Sequence, residues 1–554
     1  MRRTPPDQLP SHQGAIHCPV QAEDAAGFGA RESRRAVTRA EPIRVLLAAS
    51  EVVGFAKKGG LADVAGSLPP ALARRGCQVA VILPLYHGAR TGKIPVEPTD
   101  HVFTAPIAGR TVSGRLWRSR LPRCDVPVYL VENDDYFDRD DPQTGRGLYQ
   151  FKQAGQLHDY PDNFERYAFF CRAVLEACRL LDFWPDVLHL NDWQTGLAAV
   201  YLHEAYQHYT VVGADRYQRI KTLFTIHNMA YQGVFWHWDM KTAGLGWRLF
   251  NPRQLEFHGH LNCLKAGAVF SDCISTVSPT YAKEILTPYF GCGLQGVLSE
   301  RRERLFGIVN GCDYDVWDPS RDPHLPAHYD ADHVAPGKPA CKEALQRRLG
   351  LAVEPGSPLL GVVARLVEQK GVELILQAAP ELLRQGAQLA VLGQGDPAYH
   401  VQLQELAKEF PGRVGLLIGF DEPLAHQIEA GADLFLMPSF YEPSGLNQLY
   451  SMHYGTPPVV RATGGLADTV VDATPQALAA GTATGFVFIP YQAGALLDAV
   501  RRGVNLYREQ SDAWRGLVRA GMKADWSWDR SAMEYVRLFE RLAGGEKGRK
   551  AEGR

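Results

Sequence analysis

The chain has 554 residues, 45% of them hydrophobic and 22% charged, and its formal net charge at pH 7 is −2. This is the composition of a globular protein, and the length favours two domains of about 200–250 residues each. The nearly balanced charge argues against a nucleic-acid-binding protein, which usually carries a basic excess. No run approaches the ~18 consecutive apolar residues of a membrane-spanning helix, so no membrane partner is expected.

The terminal segments and the cysteines of the chain indicate the cellular compartment of the protein. Residues 1–40 carry several arginines with little apolar periodicity and predict a disordered extension, and residues 546–554 predict a disordered tail. No apolar run follows Arg2 and Arg3, which argues against a secretory signal; acidic residues weaken the alternative of an organelle transit peptide. The ten cysteines lack close metal-like pairing, so we expect reduced thiols in a cytoplasmic protein.

The predicted elements begin with the apolar run IRVLLAAS at residues 43–50, which is typical of a parallel strand buried on both faces. An apolar helical stripe from Leu61 to Leu72 follows, and Pro69 and Pro70 are expected to kink or restart that helix. QVAVILPLY is the next strand, which completes a βαβ unit of a parallel sheet. Further strands are predicted at VPVYLVEN, DVLHLND, TLFTIHN and DCISTVS.

The second half repeats this rhythm. PLLGVVARL predicts a strand and GVELILQAAPELLRQG a helix that ends at Gly386. More strands are predicted at AQLAVLGQG, RVGLLIGF, DLFLMPS and TPPVVRAT. The fold class is therefore α/β, with two Rossmann-like doubly wound domains that face each other across a cleft. We place these domains at residues 41–308 and 309–524, joined near GIVNGCDYDVWDP, with a last helix over 525–545 that packs back on the first domain.

Polar residues at strand exits are the candidate site, because open parallel sheets bind ligands beyond the carboxyl ends of their strands. Lys57, Gly59 and Gly60 follow the first strand and open a helix, where glycines permit close backbone approach and the cationic helix start favours a phosphate. The alternative is a solvated basic turn. Arg365 and Lys370 follow another strand and would suit a diphosphate, or form an exposed pair at a helix start.

Other strand exits carry groups suited to a sugar. Asp192 follows one strand, and His227 and Asn228 follow another, although a packing histidine is the simpler interpretation of His227 alone. Glu442 lies in a turn, where a lone glutamate is usually solvated, and the backbone N–H groups of residues 444–446 begin the next helix. Neither candidate nucleotide site has the pattern G-x-G-x-x-G, which disfavours a nicotinamide-dependent oxidoreductase.

Many of these motifs occur in one order: AKKGGLADVAGSLP, DNFERY, HLNDWQTGL, TIHNMAYQG, GIVNGCDYDVWDP, ARLVEQKG, GQGD, GADLFLMPSFYEPSGLNQLYSMHYGTPPVVRATGGLADTV, ATGF and DWSWDRSAMEY. In this order they closely resemble the bacterial glycogen synthases and plant starch synthases. The resemblance implies the GT-B glycosyltransferase fold. It also implies retaining transfer of glucose from ADP-glucose to the non-reducing end of an α-1,4-glucan such as glycogen, with no metal and no other cofactor.

The resemblance also implies roles for individual residues. The expected catalytic residues are His227, Asp192, Arg365, Lys370 and Glu442. The expected donor-binding residues are Lys57, Gly59, Gly60, Asn310, Ser444, Gly445, Leu446, Thr463, Gly464 and Gly465. The expected sugar or acceptor residues are Asp63, Tyr149 and Asn228. Two positions depart from the family pattern: Lys58 stands where threonine is usual, and Ser444 stands where many members have cysteine.

The expected reaction separates glucose from a diphosphate without inverting the anomeric carbon. No pair of carboxylates is spaced as in a retaining glycosidase, which favours a front-face displacement helped by fixed cations. Three alternatives stay open: the same transfer from UDP-glucose, a catalytically silent glucan-binding protein, and the oxidoreductase disfavoured above. The sequence carries no signal for an oligomeric state.

Overall fold

The computed structural model describes residues 41–141, 144–153, 155–208 and 213–544. The predicted extension over residues 1–40 and the predicted tail over 546–554 lie outside the described residues. No helix in the described part is long and apolar enough to cross a bilayer. The nine cysteines in these ranges are all free thiols, and Cys18 lies outside them.

The first half is built around one large twisted sheet. Its strands are β1 (Arg44–Ala48), β2 (Gln78–Pro84), β3 (Glu97–Ile107), β4 (Arg110–Arg120), β5 (Pro127–Glu132), β6 (Gln150–Gln153), β7 (Gln156–Asp159), β8 (Val187–Asn191), β9 (Lys221–Ile226), β10 (Val234–Trp236), β11 (Glu256–Phe257), β12 (His260–Asn262), β13 (Cys273–Thr276) and β14 (Leu305–Gly307). Nine of them form the sheet β14-β13-β9-β8-β1-β2-β5-β4-β3, which is parallel from β14 to β5. β4 and β3 extend the sheet as an antiparallel hairpin that the sequence reasoning did not predict.

Helices cover both faces of this sheet. The helices of the first half are α1 (Gly60–Arg74), α2 (His87–Arg90), α3 (Asp134–Phe137), α4 (Asn163–Leu180), α5 (Gly196–Tyr201), α6 (Ala214–Tyr217), α7 (Asp239–Ala243), α8 (Cys263–Phe270), α9 (Pro279–Glu284) and α10 (Gln295–Glu300). One core lies between the sheet and α4, α5 and α8, and a second lies between the opposite face and α1. Both faces are buried, which explains why β1 and β2 are nearly continuous apolar runs.

The second half contains a smaller, entirely parallel sheet. Its strands are β15 (Leu359–Val363), β16 (Gln388–Gly393), β17 (Val414–Ile418), β18 (Leu434–Met437), β19 (Pro458–Arg461) and β20 (Phe486–Phe488), in the order β17-β16-β15-β18-β19-β20. Its helices are α11 (Gly337–Arg348), α12 (Val372–Arg384), α13 (Pro397–Glu409), α14 (Glu422–Gly431), α15 (Asn447–His453), α16 (Gly464–Thr469), α17 (Pro475–Ala479), α18 (Ala493–Glu509), α19 (Ser511–Lys523) and α20 (Trp528–Gly544). The predicted α/β architecture with two doubly wound sheets is confirmed.

Helix α1 corrects one expectation. It runs unbroken from Gly60 to Arg74 through Pro69 and Pro70, so the helix does not restart there. Leu68, Pro69 and Leu72 are all buried on its apolar side. Because this face packs against the sheet, the burial offsets the two backbone donors that the prolines remove.

The chain returns to the first half at its C-terminal end. The Cys312 N–H, in the segment after β14, donates to the Trp526 carbonyl at 2.6 Å, and the Ser531 hydroxyl donates to the Val309 carbonyl at 2.7 Å. From there α20 lies against α1, and its Phe539 is fully buried in the core on that face of the sheet. The residue bounds of the two domains stay a prediction.

Candidate active site

Glu51 organises the exit of β1. Its carboxylate accepts the backbone N–H groups of Lys58 at 2.5 Å and Gly59 at 3.0 Å, and also the Tyr149 hydroxyl at 2.6 Å. Burial raises the pKa of Glu51, and these hydrogen bonds act in the opposite direction. The sequence reasoning missed Glu51, although an acidic residue directly after a buried strand was an available signal. Its contacts fix the loop that begins α1 against Tyr149.

This loop carries the first predicted donor-binding residues. The Lys57 ammonium donates to the Asp63 carboxylate at 2.7 Å, and the Lys58 side chain is exposed. A Cβ atom placed on Gly59 or Gly60 would meet no atom within 4 Å, and Gly59 has an extended backbone with φ −149°. Neither packing nor a positive φ therefore requires these glycines. The open space beside them, at the start of a 15-residue helix, suits a ligand that approaches the backbone.

Asp192 and His227 meet where β8 and β9 end. The Asp192 carboxylate accepts the His227 backbone N–H at 2.8 Å, and Asp192 has a φ of +56°, a strained conformation of the kind that clusters at functional sites. Burial raises the pKa of Asp192 to about 7. Burial also lowers the pKa of His227 to about 3, so the imidazole is neutral. Its Nε2–H donates to Asn191 Oδ1 at 2.9 Å, because the Asn191 amide nitrogen is committed to the Ala48 carbonyl. Nδ1 is then the imidazole acceptor.

Lys370 and Glu442 form the centre of the second half of the site. Lys370 lies in a 3₁₀ turn after β15, and its ammonium lies 2.6 Å from the carboxylate of Glu442, which the Ser439 hydroxyl also reaches at 3.0 Å. Only 7% of the Glu442 side chain is exposed. Gly371 is required here, because a Cβ atom would lie 2.1 Å from the Pro438 carbonyl oxygen. Arg365 is exposed, and its guanidinium donates to the side-chain oxygen of Gln369, the neighbour of Lys370, at 3.4 Å.

The pentapeptide GGLAD occurs twice in the chain, at residues 59–63 and at residues 464–468, and the second copy has different surroundings from the first. The Gly464 N–H and the Thr463 hydroxyl both donate to the carboxylate of Glu284, at 3.1 and 3.0 Å. A Cβ atom on Gly464 would lie 1.9 Å from the Glu442 carbonyl oxygen, and one on Gly465 would lie 2.1 Å from that of Ser444. In this copy the glycines are required by close backbone packing, and a carboxylate of the protein occupies the donors at the start of α16.

Contacts across the cleft bring the two sheet edges together. The Thr280 backbone N–H and hydroxyl, at the start of α9, donate to the Asp468 carboxylate at 2.8 and 2.6 Å. Although burial raises the pKa of the Tyr441 hydroxyl, the Asn228 side chain lies close enough to that group to act in the opposite direction and lower it. The carboxyl ends of β8 and β9 therefore face those of β15, β18 and β19, as predicted. The sequence reasoning missed Glu284 and Tyr441, whose partners lie far away in the chain.

Asn310 lies in the segment that joins the halves. It is only 5% exposed, and its Oδ1 atom has no hydrogen-bond partner among the described residues. A buried acceptor without a partner is uncommon and fits a position that a ligand hydroxyl completes. Ser444, Gly445 and Leu446 precede α15 next to Glu442, with Ser444 buried and Gly445 at φ +68°.

Comparisons with known proteins agree with this geometry. The family model "Starch synthase catalytic domain" matches residues 44–300, and "Glycosyl transferases group 1" matches residues 348–515. A glycogen synthase of Anaeromyxobacter dehalogenans (strain 2CP-C) is 49% identical over 506 residues, which cover 90% of this chain and 100% of that protein. The chain belongs to the glycogen synthase family. A second relative in this family, the glycogen synthase of Rhodopirellula baltica, is 43% identical over 510 residues, with 90% of this chain and 98% of that protein covered.

Two solved structures are similar in fold to this glycogen synthase family member. The catalytic domain of starch synthase IV from Arabidopsis thaliana, bound to ADP and acarbose, is 32% identical with a TM-score of 0.80 over 91% of this chain and 100% of that one. Sucrose-phosphate synthase from Thermosynechococcus elongatus, at 18% identity and a TM-score of 0.53, shares the fold alone. The expected GT-B fold is confirmed, and so is the expectation of a glucosyltransferase.

Proposed function

We propose that this glycogen synthase family member transfers glucose from ADP-glucose to the non-reducing end of an α-1,4-glucan and retains the α configuration. The observation that carries the proposal is the convergence of two sets of groups on one cleft. The neutral His227 and the carboxylate of Asp192 come from the first half, and the Lys370–Glu442 pair comes from the second. The Arabidopsis starch synthase IV, bound to ADP and acarbose, supports a nucleotide and a glucan as ligands.

The phosphates of the donor would be held by cations from both halves. Lys57 and the open glycines at the start of α1 would approach from the first half, and Arg365 and Lys370 would approach from the second. Negative charge grows on the diphosphate as it leaves, so these fixed cations stabilise the transition state more than the ground state. We propose that the positive charges of these lysine and arginine side chains make a metal ion unnecessary. Thr463, Gly464, Gly465 and the backbone of residues 444–446 would contact the same phosphates once Glu284 has moved from Gly464.

The glucose ring would lie between the two carboxylates of the cleft. Asp192 would accept sugar hydroxyls, Glu442 would face the ring from the second half, and the Asn310 Oδ1 atom would accept one further hydroxyl. Asp63, Tyr149 and Asn228 would border the acceptor side. Positive charge that develops on the ring is stabilised by the Glu442 carboxylate, which burial protects from screening by solvent.

A front-face displacement accounts for retention with these groups. The bond from the anomeric carbon to the departing phosphate oxygen breaks, and the acceptor hydroxyl forms the new bond on the same face. Its proton passes to the departing phosphate oxygen, so no carboxylate nucleophile is needed. His227 is neutral in this cleft and orients the sugar without adding a positive charge beside the anomeric carbon.

The decisive experiment supplies glycogen with ADP-glucose or UDP-glucose and measures the nucleotide released. We expect release of ADP, an extended glucan that an α-1,4-specific amylase digests fully, and unchanged turnover after treatment with EDTA. Faster turnover with UDP-glucose would replace the donor in the proposal. Absence of turnover with both donors would leave a glucan-binding protein as the second candidate and overturn the proposed catalysis.

A further inference from the structure

Asn191 joins the carboxyl ends of three neighbouring strands. It is the last residue of β8 and only 1% exposed, although its side chain is a polar amide. The amide nitrogen donates to the carbonyl of Ala48, the last residue of β1, at 3.1 Å. The amide oxygen lies 2.9 Å from Nε2 of His227, which directly follows β9. Both ends of the amide therefore have a partner, as a buried polar side chain requires.

Two backbone carbonyls determine which end of the amide faces His227. Besides the Ala48 carbonyl, the His189 carbonyl lies 3.4 Å from the amide nitrogen. A carbonyl oxygen only accepts hydrogen bonds, so the group that faces this pair is the NH₂ group of Asn191. Rotation of the amide by half a turn would place its oxygen against two carbonyl oxygens. The backbone thus fixes Oδ1 toward the imidazole, and Oδ1 carries no proton at any pH at which the protein works.

This orientation determines the tautomer of His227. Because Oδ1 of Asn191 is an acceptor, Nε2 of the imidazole carries the proton. A neutral imidazole has one N–H group, so Nδ1 is left with a lone pair. The His227 side chain is only half-buried, and none of the described residues donates to Nδ1. A ligand hydroxyl in the cleft therefore meets an acceptor at Nδ1, whereas the other tautomer or the imidazolium would present a donor.

The other titratable groups near His227 do not select between its ring nitrogens. The Asp192 carboxylate accepts the backbone N–H of His227 at 2.8 Å. Burial and the nearby charge of Glu51 raise the pKa of Asp192. His189 is fully buried, and burial lowers its pKa to about 3, so this second imidazole is also neutral. Within the described ranges, Asn191 is the one side chain that is hydrogen-bonded to the His227 ring.

We infer that Asn191 is a positioning residue that presents His227 as a neutral hydrogen-bond acceptor, so that the cleft selects a nucleotide sugar with a hydroxyl group at that point. This role rests on the proposed function. A carboxylate in the place of Asn191 would also accept the Nε2–H group, but its charge would favour the imidazolium form. That form would add a positive charge beside the anomeric carbon, where the transition state itself gains positive charge. An amide fixes the tautomer without this cost.

The first test observes the imidazole directly and needs no turnover. Solid-state ¹⁵N NMR of the full-length protein, labelled at its histidine ring nitrogens, distinguishes protonated from unprotonated nitrogens. The signals of His227 are those that are missing from His227→Gln. In the wild type we expect Nε2 protonated and Nδ1 unprotonated from pH 6 to pH 8. Asn191→Asp should protonate both nitrogens over this range, and Asn191→Leu should move the proton to Nδ1, because Nε2 then faces an apolar side chain.

The second test measures selectivity among donors. Three analogues of ADP-glucose carry fluorine in place of the hydroxyl on C3, C4 or C6 of glucose, and fluorine donates no hydrogen bond. In the wild type, one analogue should lose at least about tenfold more kcat/KM than the other two, which identifies the hydroxyl that donates to Nδ1. In Asn191→Leu this extra loss should shrink to within about threefold, although kcat/KM for ADP-glucose itself falls. A purely structural role would lower all four donors by the same factor.

A second buried amide provides the matched control. Asn262 is fully buried, its Oδ1 accepts the Lys265 backbone N–H at 2.8 Å, and its amide nitrogen donates to the Gln232 side chain at 2.6 Å. Asn262→Leu should lower the melting temperature as Asn191→Leu does, because each removes a buried hydrogen-bonded amide. It should leave the His227 signals and the ratios among the four donors unchanged.

The role of Asn191 is refuted if Nδ1 carries a proton in the wild type, or if Asn191→Leu leaves the His227 signals unchanged. It is also refuted if Asn191→Leu lowers all four donors equally, or if Asn262→Leu changes their ratios as much as Asn191→Leu does. A wild type that transfers no glucose from ADP-glucose would refute the proposed function instead. In that case the NMR spectra still decide whether Asn191 fixes the tautomer and the charge of His227.

Discussion

The ammonium of Lys370 lies 2.6 Å from a carboxylate oxygen of Glu442, although the two residues are 72 positions apart in the chain. Both side chains are mostly removed from solvent, with 20% and 7% exposed. A pair of this kind has two roles in the proposed enzyme. It neutralises a buried carboxylate in the resting cleft, and it keeps a cation in place for the phosphates of the donor.

The first prediction concerns this pair. Lys370→Ala should lower kcat by about 10²–10³, because a fixed charge that meets the leaving diphosphate is lost. It should also lower the free energy of unfolding by about 2 kcal/mol, since Glu442 is left buried without its cation. Nucleotide release and urea denaturation measure the two effects. Lys408→Ala, which removes an exposed lysine on α13, is the matched control.

A double variant tests whether these effects are separable. Glu442→Gln in the Lys370→Ala background should restore much of the lost stability, because no buried charge is then unpaired, but it should not restore activity. Near-normal turnover of Lys370→Ala would remove this cation from the mechanism.

The second prediction contrasts the two copies of GGLAD. Gly60→Ala should change the free energy of unfolding by less than about 1 kcal/mol, because open space surrounds the position. It should raise the KM for ADP-glucose, since a methyl group then occupies the approach to the backbone. Gly465→Ala should instead destabilise the fold by about 2–3 kcal/mol, because the methyl group meets the Ser444 carbonyl at 2.1 Å. Thermal unfolding and donor kinetics of both variants give the comparison; equal destabilisation would show that the two glycine pairs have the same role.

The third prediction is a dependence on pH. Burial raises the pKa of Asp192 from 3.8 to about 7. If the sugar requires the carboxylate, kcat/KM should fall about tenfold per pH unit below pH ~7. The effect of pH on stability has the opposite sign, because a buried Asp192 is more stable protonated than charged. Its contribution to the free energy of unfolding is fully present below pH 3.8 and is lost as the pH rises through about 7.

Replacement of Asp192 by a neutral residue tests the sign of this pH dependence of stability. Asp192→Asn should be more stable than the wild type, and the difference in melting temperature should be larger at pH 8 than at pH 5. A stability difference that grows toward acid pH, or a wild-type rate that is flat from pH 5 to 8, would contradict the assignment of a raised pKa to Asp192.

The sequence was sufficient where local patterns determine structure. Buried apolar runs located β1, β2 and β15, because strands that are buried on both faces consist almost entirely of apolar residues. The β3–β4 hairpin was missed, since its strands are largely exposed and carry many charged residues. The residues singled out at strand exits lie at the carboxyl edges of the two sheets, because parallel strands share that edge, and their roles stay predictions.

Long-range partners were beyond the sequence alone. Glu51 accepts a hydrogen bond from Tyr149, which is 98 positions away, and Glu284 accepts one from Gly464, which is 180 positions away. The two copies of GGLAD are identical in sequence, yet one is open and the other is packed against a carbonyl and a carboxylate. Only the tertiary neighbours distinguish them.

The last prediction concerns Glu51, which positions the loop of Lys57 without being proposed to touch the reacting atoms. Glu51→Ala leaves the N–H groups of Lys58 and Gly59 without their acceptor, and a buried donor without a partner costs about 1–3 kcal/mol. The loop should then adopt other conformations, so the KM for ADP-glucose should rise about tenfold or more, with a smaller change in kcat. Glu51→Gln keeps an oxygen acceptor and should recover part of the affinity.

Lys58→Thr, on the same loop, keeps the backbone contact and removes only an exposed ammonium, so its KM should stay within about threefold of the wild type. Steady-state kinetics decide the matter: an unchanged KM in Glu51→Ala, or a larger effect from Lys58→Thr than from Glu51→Ala, would mean that the side chain at position 58, and not the carboxylate beneath it, determines how the loop receives the donor.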